Sequence, residues 1–301
     1  MHKFLRAVGF SQYTEKKQVQ KLIRDIIIHA DERSYTTVGK KTLVAEFDRN
    51  FAEDIGIAVC GEFDEDDTYS FDYYLPYLRS DLVSTAEDIS IERHAAKESY
   101  AGICDDPKVG VSLIFYLQNM ISYLKLQGEG KIPAKGTSLN LSALSCQGTI
   151  MMPIQKTEWQ KKKIAKDAVQ RNRLIQAARG GDEEAMESLT LEDMDTYTSI
   201  SRKIQKADIF SLVDTYFMPY GVECDQYSVI GEIEEVEKIR NIYTKEEIYR
   251  MKIESHDLEF VVCINSKDLL GEPQPGRRFK GQIWMQGTLK LEDIIRKQGI
   301  K

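Results

Sequence analysis

The spacing of apolar residues near the start of the chain predicts a helix over residues 15–30. Val19, Leu22, Ile23, Ile26 and Ile27 fall at positions i, i+3, i+4, i+7 and i+8, on one face of a helix. The basic residues of the segment lie largely off that stripe. The pattern is typical of a helix that covers a sheet.

After residue 42 the apolar period becomes that of strands. Segments 43–48, 56–64 and 69–78 are short and apolar-rich, and the last two predict a β-hairpin. Acidic residues crowd its tip at 64–67, but this loop lacks the ligand spacing and the glycine of an EF-hand. We therefore favour a solvated turn over a divalent-cation site.

Residues 88–106 and 138–154 also alternate, and 111–126 is one strand or a strand that runs into a helix. There is no alternation of strands and helices that would indicate a doubly wound parallel fold. Residues 1–154 are therefore predicted to form a mostly antiparallel domain with at least one covering helix.

Residues 155–225 have a helical pattern and predict a helical connector or subdomain. A long helix should end at Gly180–Gly181, and helical segments should continue to residue 217, before Pro219 and Gly221. Residues 226–301 are again β-rich.

The last module is predicted to contain three strands (226–241, 246–255 and 258–265), a one-turn helix and one or two strands in 279–291. This order is typical of a small β-barrel, possibly OB-like. The whole chain is thus assigned to the α+β class with three modules, 1–154, 155–225 and 226–301.

Composition narrows the function classes. The 301 residues are 42% hydrophobic and 30% charged, which argues against disorder. The net charge of −7 disfavours nucleic acid and anionic membranes as partners, and no module is basic as a whole. The five cysteines are widely spaced, and the N-terminus lacks a signal-peptide pattern, so we expect a cytoplasmic protein with reduced thiols.

The common catalytic and cofactor motifs are absent from the sequence. No dinucleotide or P-loop glycine motif, serine elbow or zinc-protease helix occurs, and we predict no cofactor and no metal. Of the four histidines, His94 is the one we single out for chemistry, with Cys104 if the fold joins them. A structural role for a single strand histidine is the alternative.

Two local features could bind an anion or nucleic acid. The first is a basic helix that carries Lys161, Lys162, Lys163, Lys166 and Arg173. Its alternative interpretation is an ordinary solvated helix face.

The second feature places Arg277, Arg278 and Lys280 beside Phe279 and Trp284. Basic groups near aromatic rings on a small barrel can hold single-stranded nucleic acid. Since Phe279 and its apolar neighbours also suit a barrel core, the core interpretation is favoured.

Several longer segments resemble a known family. The runs at 171–204, 214–233 and 269–287, with the opening MHKFLRAVGFS, resemble a bacterial family catalogued as a domain of unknown function. The resemblance covers nearly the whole chain. It implies a bacterial cytoplasmic source and carries no activity, catalytic residue or ligand.

Three functions remain open. A binding or interaction module is ranked first, because catalytic motifs are absent. A hydrolase-like enzyme with an unrecognised site in the N-terminal domain is ranked second. A homo-oligomeric structural protein is third, with an interface at the aromatic residues of the 69–78 hairpin. A protein partner fits the first or third function.

Overall fold

The fold is described from a computed structural model, in which residues 2–38, 42–94, 99–106, 112–131, 137–154, 158–204, 213–222 and 224–291 are described. The predicted α+β class is confirmed, with an antiparallel sheet and a closed five-stranded β-barrel in the C-terminal region. In the described part of the chain, no helix combines the length and apolar character that a membrane crossing requires.

The helices are α1 (Lys16–Ile28), α2 (Met120–Gly128), α3 (Glu158–Arg179) and α4 (Glu183–Ile204), with 3₁₀ segments at Lys3–Val8 and Ser266–Asp268. The strands are β1 (Glu32–Val38), β2 (Thr42–Ala52), β3 (Ile55–Phe63), β4 (Tyr69–Leu78), β5 (Ile89–Arg93), β6 (Tyr100–Cys104), β7 (Leu113–Leu117), β8 (Leu139–Met151), β9 (Tyr216–Pro219), β10 (Gln226–Arg240), β11 (Glu247–Ser255), β12 (Leu258–Asn265), β13 (Leu269–Leu270) and β14 (Arg278–Leu289).

Strands β1 to β4 form an antiparallel sheet in chain order. Helix α1 packs on one face of this sheet, mainly over β2 and β3, and buries the predicted stripe of Val19, Leu22, Ile23 and Ile26. The helix begins with a reciprocal capping box between Glu15 and Gln18. The predicted covering helix and hairpin therefore lie where the apolar pattern placed them.

Five strands of the second sheet close into the barrel. The neighbour order is β10, β11, β12, β8, β14 and back to β10, and β12 with β8 is the one parallel pair in the ring. The strands are neighbours in the order of an OB barrel. The difference is that the strand that comes last in the sequence of an OB barrel corresponds here to β8, which comes first in the sequence. Phe260, Phe279 and Met285 are fully buried in its core, as the core interpretation of Phe279 expected.

The fifth barrel strand is β8, which precedes the helical segment. Residues 279–291 were predicted to supply one or two strands, and the structure has one of these alternatives. This segment is a single strand, β14, with a bulge between Gln282 and Ile283. The boundary at residue 154 stays a prediction, but the barrel takes strands from both sides of it.

Of the two alternatives predicted for 111–126, the described residues 112–126 show the strand that leads into a helix, β7 followed by α2. The helical segments predicted after Gly181 form one continuous helix, α4, as far as Ile204. The helical prediction up to residue 217 lies partly outside the described residues, and it is wrong at Tyr216 and Phe217. Both residues belong to strand β9, because this segment finds an open edge of β10 to pair with.

Strand β14 changes neighbour along one edge. It pairs with β10 up to Trp284 and with β7 at Gln286 and Gly287, and β7 continues the sheet through β6 and β5. The second sheet therefore splits into two branches at this point, one through β10 and one through β7. The hydroxyl of Tyr227 on β10 ties the branches together, since it donates to the Ile114 carbonyl (3.0 Å) and accepts from the Ile114 N–H (2.6 Å).

The N-terminal 3₁₀ segment is held against the outside of the barrel by side chains that bind its carbonyls. Cys146 donates to Lys3, Asn265 to Arg6 and Asn241 to Val8. The buried carboxylate of Glu246 lies beside this segment and accepts hydrogen bonds from Ser11, Asn265 and Lys267. These contacts fix the positions of the residues at the start of the chain.

Candidate ligand-binding cavity

A cavity of about 730 Å³ lies where the two branches separate at β14. Its lining comes from the chain start, β5, β6, β7, the turn before β10, and β14. The lining residues are His2, Lys3, Phe4, Glu92, His94, Ala101, Ile103, Ile114, Cys224, Asp225, Gln226 and Trp284. Because the parting of the strands creates the opening, the cavity is a consequence of the sheet topology.

Aromatic rings form one wall of the cavity. Trp284 is stacked with Phe4 at 5.2 Å between ring centroids and meets His2 at 4.8 Å. The indole N–H of Trp284 donates to a carboxylate oxygen of Asp225 at 2.7 Å. This bond satisfies the buried indole and fixes the carboxylate at the cavity.

Polar groups border the cavity on two sides. On the side of the chain start, the ammonium of Lys3 donates to the Gln226 amide oxygen at 2.7 Å and lies 5.0 Å from the Phe4 ring centre. On the side of β5, the exposed residues Glu92 and His94 line the cavity. His94 Nδ1 lies 2.9 Å from the Ser99 hydroxyl oxygen. The cavity therefore offers a cation and carboxylates around an apolar centre.

A series of side-chain contacts between polar groups lies behind His94. The His94 ring is stacked on Tyr116 with 6.4 Å between centroids, and the Tyr116 hydroxyl donates to the Tyr73 hydroxyl at 3.2 Å. Tyr73 is paired across the sheet with Cys60, whose thiol donates to Glu46 at 3.5 Å. These groups connect the cavity to the interior of the β1–β4 sheet.

Two buried carboxyl groups, Glu46 and Asp48, lie at the far end of this series of contacts. Burial, and then the charge of Asp48, raise the pKa of Glu46 to about 8. Burial also raises the pKa of Asp48 to about 6, against the opposing effect of Arg79, which binds it directly. Glu46 is therefore a neutral, hydrogen-bonding acid at neutral pH.

The predicted basic helix lies outside the cavity. Lys162, Lys163, Lys166 and Arg173 are exposed on α3, and the side chain of Lys161 lies outside the described residues. None of these residues lines the cavity.

The second predicted cluster is divided by the structure. Arg277 donates to the Glu272 carbonyl at 2.7 Å, and buried Arg278 donates to the carbonyls of Met152 and Val213. Burial lowers the pKa of Arg278, with Glu232 opposing. Lys280 is half-buried further along β14.

Of this cluster, only Trp284 reaches the cavity. Trp284 was singled out as a stacking residue because basic residues precede it in the sequence, but its neighbours in the fold are His2, Phe4 and Asp225. No sequence signal joins these residues, since the chain start, β5 and the turn before β10 meet only through the tertiary fold.

The suggested pair of His94 and Cys104 is not formed in the cavity. His94 lines the cavity, whereas Cys104 is fully buried on β6 and is not among the lining residues. Burial raises the pKa of Cys104 to about 12, which keeps it a thiol. The cysteine that does line the cavity is exposed Cys224.

The β11–β12 face of the barrel carries paired charges. Lys252 bridges Glu234 and Glu259 at 2.8 and 3.0 Å, and Arg250 binds Glu237 at 2.7 Å. In an OB barrel this is the face that holds single strands. Because its cations are matched by carboxylates, it offers no basic surface for phosphates.

The acidic hairpin tip is organised as a turn. A carboxylate oxygen of Asp64 accepts from the N–H groups of Asp66 and Thr68, at 2.9 and 2.8 Å. Within the described ranges, no group of three or more histidine, cysteine, aspartate or glutamate side chains is arranged to hold a metal ion.

Comparison with protein families matches residues 5–287 to the family described as "Domain of unknown function, E. rectale Gene description (DUF3881)". The match covers nearly the whole chain, so the chain belongs to this family. Comparisons with curated proteins and with solved structures each found no match.

Proposed function

We propose that this family member is a binding protein whose ligand is a small organic molecule held in the cavity at the branch of β14. The observation that carries the proposal is the cavity itself. Its volume of about 730 Å³ lies within the range of about 300–1,000 Å³ that is usual for small-molecule sites. Its apolar wall with a few convergent polar groups has the composition of such sites.

The arrangement of the lining indicates the ligand's shape. Trp284, Ile103 and Ile114 supply apolar contact in the middle. Lys3 lies on one side and Glu92 on the other, so a ligand with an apolar body and polar groups of opposite character at its two ends fits best. A zwitterion of this shape can place an anionic group at Lys3 and a cationic group at Glu92.

A cytoplasmic location is part of the proposal. All five cysteines are free, and burial keeps the thiols of Cys60, Cys104 and Cys263 protonated by raising their pKa values. Free thiols in this number are usual in a reducing compartment. Alkylation of native protein taken from intact cells would test this, since an oxidising compartment would leave Cys224 blocked.

The test uses a variant that fills the cavity. Ala101 lies on β6 with its side chain at the cavity, so Ala101→Phe places a ring in the ligand's volume, and Ala101→Ser is the size-matched control. A thermal-shift screen of small zwitterions, amines and carboxylic acids is then run on all three proteins. A ligand at 100 times its Kd stabilises the native state by about 2.7 kcal/mol.

Such stabilisation corresponds to a rise in Tm of roughly 5 °C for a chain of this size. We expect hits that persist in Ala101→Ser and disappear in Ala101→Phe. Hits that persist equally in both variants would place the ligand elsewhere. If no compound class shifts the wild-type Tm, small-molecule binding at this cavity is refuted.

A second candidate function is an enzyme that uses the same cavity. The observation in its favour is that His94 and exposed Cys224 line one cavity together with Asp225 and Glu92. A thiol and an imidazole are the two groups that an activated cysteine nucleophile requires. Release of the alcohol from activated esters, or of the thiol from activated thioesters, by the wild type, abolished in Cys224→Ser and in His94→Gln, would support turnover. Equal rates in all three proteins would exclude it.

A further inference from the structure

A second cavity, of about 660 Å³, lies between α2 and the end of β14. We call it the α2–β14 cavity. Besides α2, its lining comes from residues 79–81 after β4, from Asn140 on β8 and from residues 288–291. No described residue lines both this cavity and the one at the branch of β14. It is therefore a separate recess with the volume of a small-molecule site.

One face of α2 lines this cavity. Its lining residues recur at intervals of three and four positions, as one side of a helix requires, and they are Ser122, Lys125, Leu126 and Glu129. Ser122 and Lys125 are exposed. This face therefore offers a hydroxyl group and an ammonium group to the cavity.

The start of α2 adds positive partial charge. Asn119 precedes the helix, but its side chain accepts from the Leu289 N–H at 3.1 Å and donates to the Leu289 carbonyl at 2.8 Å. It therefore makes no capping bond to α2. The N–H groups of a first helical turn have no partner within the helix and attract anions. An anion in the cavity lies near this end of the helix, since Asn119 and Ser122 both belong to the lining.

The end of β14 forms another wall. Thr288 lies directly opposite Asn140 in the β8–β14 pairing, and the N–H of Lys290 extends this pairing by donating to the Ser138 carbonyl at 2.9 Å. Side chains two positions apart along a strand lie on the same face. Lys290 therefore follows Thr288 into the cavity lining. The two lysines of the cavity, Lys125 and Lys290, come from different walls.

Two of the five charged side chains in the lining are already paired. Arg79 binds the buried carboxyl group of Asp48, and Glu129 is bound by Lys131 at 2.7 Å. The charge that the cavity offers to a ligand therefore depends on the other three side chains.

These three side chains give the cavity an excess of positive charge. They are Lys125, Lys290 and Asp81, and within the described ranges none of them has an ion-pair partner. A phosphate group, with a charge of about −1.5 to −2 at neutral pH, matches two ammonium groups better than a carboxylate does. The Ser122 hydroxyl, on the same helix face as Lys125, is a donor for one of its oxygens.

Asn140 adds a requirement of its own. It is 4% exposed, and its amide N–H donates to the Ser80 carbonyl at 2.8 Å, which fixes the orientation of the amide. Its amide oxygen accepts no hydrogen bond from any described residue. A buried acceptor without a donor is unfavourable, and an ionised phosphate oxygen is itself an acceptor. A ligand hydroxyl is a donor, so Asn140 favours a ligand that carries hydroxyl groups beside its anionic group.

We propose that the α2–β14 cavity binds a sugar phosphate, that is, a small phosphomonoester with several hydroxyl groups. Its phosphate lies between Lys125 and Lys290, where the Ser122 hydroxyl donates to it. Its hydroxyl groups donate to the amide oxygen of Asn140 and to the carboxylate of Asp81. This site is independent of the ligand proposed for the cavity at the branch of β14.

Calorimetric titration at low salt tests the charge and the hydroxyl groups separately. The probes are ribose 5-phosphate and glucose 6-phosphate, and the comparison compounds are inorganic phosphate, ribose and glucose. We expect at least one sugar phosphate to bind more tightly than inorganic phosphate, by about ten-fold or more, and the unphosphorylated sugars to give no binding heat.

The two lysines are tested by Lys125→Met and Lys290→Met, which remove the charge and keep an unbranched side chain. Each should weaken sugar phosphate binding by roughly ten-fold. Lys21→Met, which removes an exposed lysine of α1 outside the cavity, is the matched control and should keep the wild-type Kd. Ala101→Phe, which fills the cavity at the branch of β14, should also keep it.

Asn140→Leu tests the hydroxyl contact with little change in side-chain size. It should reduce the preference for a sugar phosphate over inorganic phosphate and leave the Kd of inorganic phosphate unchanged, with circular dichroism as the check on folding. If this variant does not fold, the two lysine variants still decide the outcome.

Three results overturn the proposal. The first is that neither sugar phosphate binds the wild type with a Kd below about 10 mM, or that inorganic phosphate binds as tightly. The second is that Lys125→Met and Lys290→Met both keep the wild-type Kd. The third is loss of sugar phosphate binding in Ala101→Phe, which would place the ligand at the branch of β14.

Discussion

The buried carboxyl group of Glu46 should make the stability of this protein fall as pH rises. Glu46 is 7% exposed on β2, two residues from Asp48 on the same face of the strand. Its pKa is raised from 4.5 to about 8, chiefly by burial. Replacing it in Glu46→Gln keeps the shape and the hydrogen-bond acceptor for Cys60 but removes the ionisation.

The magnitude follows from the protons that each state binds. Between pH 4.5 and about 8 the unfolded chain has lost the Glu46 proton, whereas the native state still holds it. The free energy of unfolding therefore falls by about 1.4 kcal/mol per pH unit in this range. At pH 7 the free energy of unfolding has fallen by roughly 3 kcal/mol relative to its value below pH 4.5. Glu46→Gln should remove this loss, so the variant should be more stable than the wild type at pH 7.

Urea unfolding of the wild type and Glu46→Gln at pH 5, 6, 7 and 8 measures this difference. We expect the variant's advantage to be small at pH 5, to grow with pH, and to level off above pH 8. Glu53→Gln, in the exposed turn after β2, is the control and should keep the wild-type pH slope. An advantage that is absent, or constant across the range, would refute the assignment of Glu46 as a neutral buried acid.

Four further predictions test other parts of the structure. Burial would raise the pKa of Glu246, but hydrogen bonds from its neighbours lower it. Glu246→Gln should therefore lower the free energy of unfolding, measured with urea, by about 2–4 kcal/mol at pH 7 and by less as the pH falls below 4.5. A side chain at Gly102 would meet the Phe115 ring at 2.0 Å, so Gly102→Ala should cost about 1–3 kcal/mol and lower the Tm. Tyr227→Phe should cost about 1–3 kcal/mol by freeing the two branches of the sheet, and it should raise hydrogen exchange at β7. A fragment of residues 226–301 lacks one barrel strand and should show no cooperative thermal transition by circular dichroism.

Local patterning was enough to predict most of the elements. The stripe of α1 and the hairpin of β3 and β4 depend on neighbours in the sequence, and the structure has them where the pattern placed them. The helical prediction failed at Tyr216 and Phe217 for the opposite reason. Their pattern allows either structure, and pairing with an edge of β10 decides in favour of a strand.

The barrel shows where local reasoning stops. Three strands, a short helix and a closing strand were predicted from residues 226–291, but the closing neighbour is β8, which lies on the other side of two long helices in the sequence. Alternation in residues 138–154 predicts a strand and says nothing about its partners. Register with β12 and β14 is set by contacts that only the folded chain makes.

The candidate site was predictable only in fragments. His94 and Trp284 were both singled out in the sequence, each for a different chemistry and with the wrong neighbours. The structure places them at one cavity with His2 and Asp225, which no spacing rule connects. A site built from the chain start, an early strand and a late strand leaves no local motif.

The position of the cavity follows from the same topology that hides it from the sequence. One edge of β14 is paired with β8 along its whole length. The other edge is therefore shared by two strands in succession, β10 and then β7. Two strands that leave a common edge at one point must diverge, and their side chains cannot fill the space between them. The cavity thus exists because the barrel and the β5–β7 extension share β14. This makes the branch point, rather than the usual strand face of an OB barrel, the place to test for the proposed ligand.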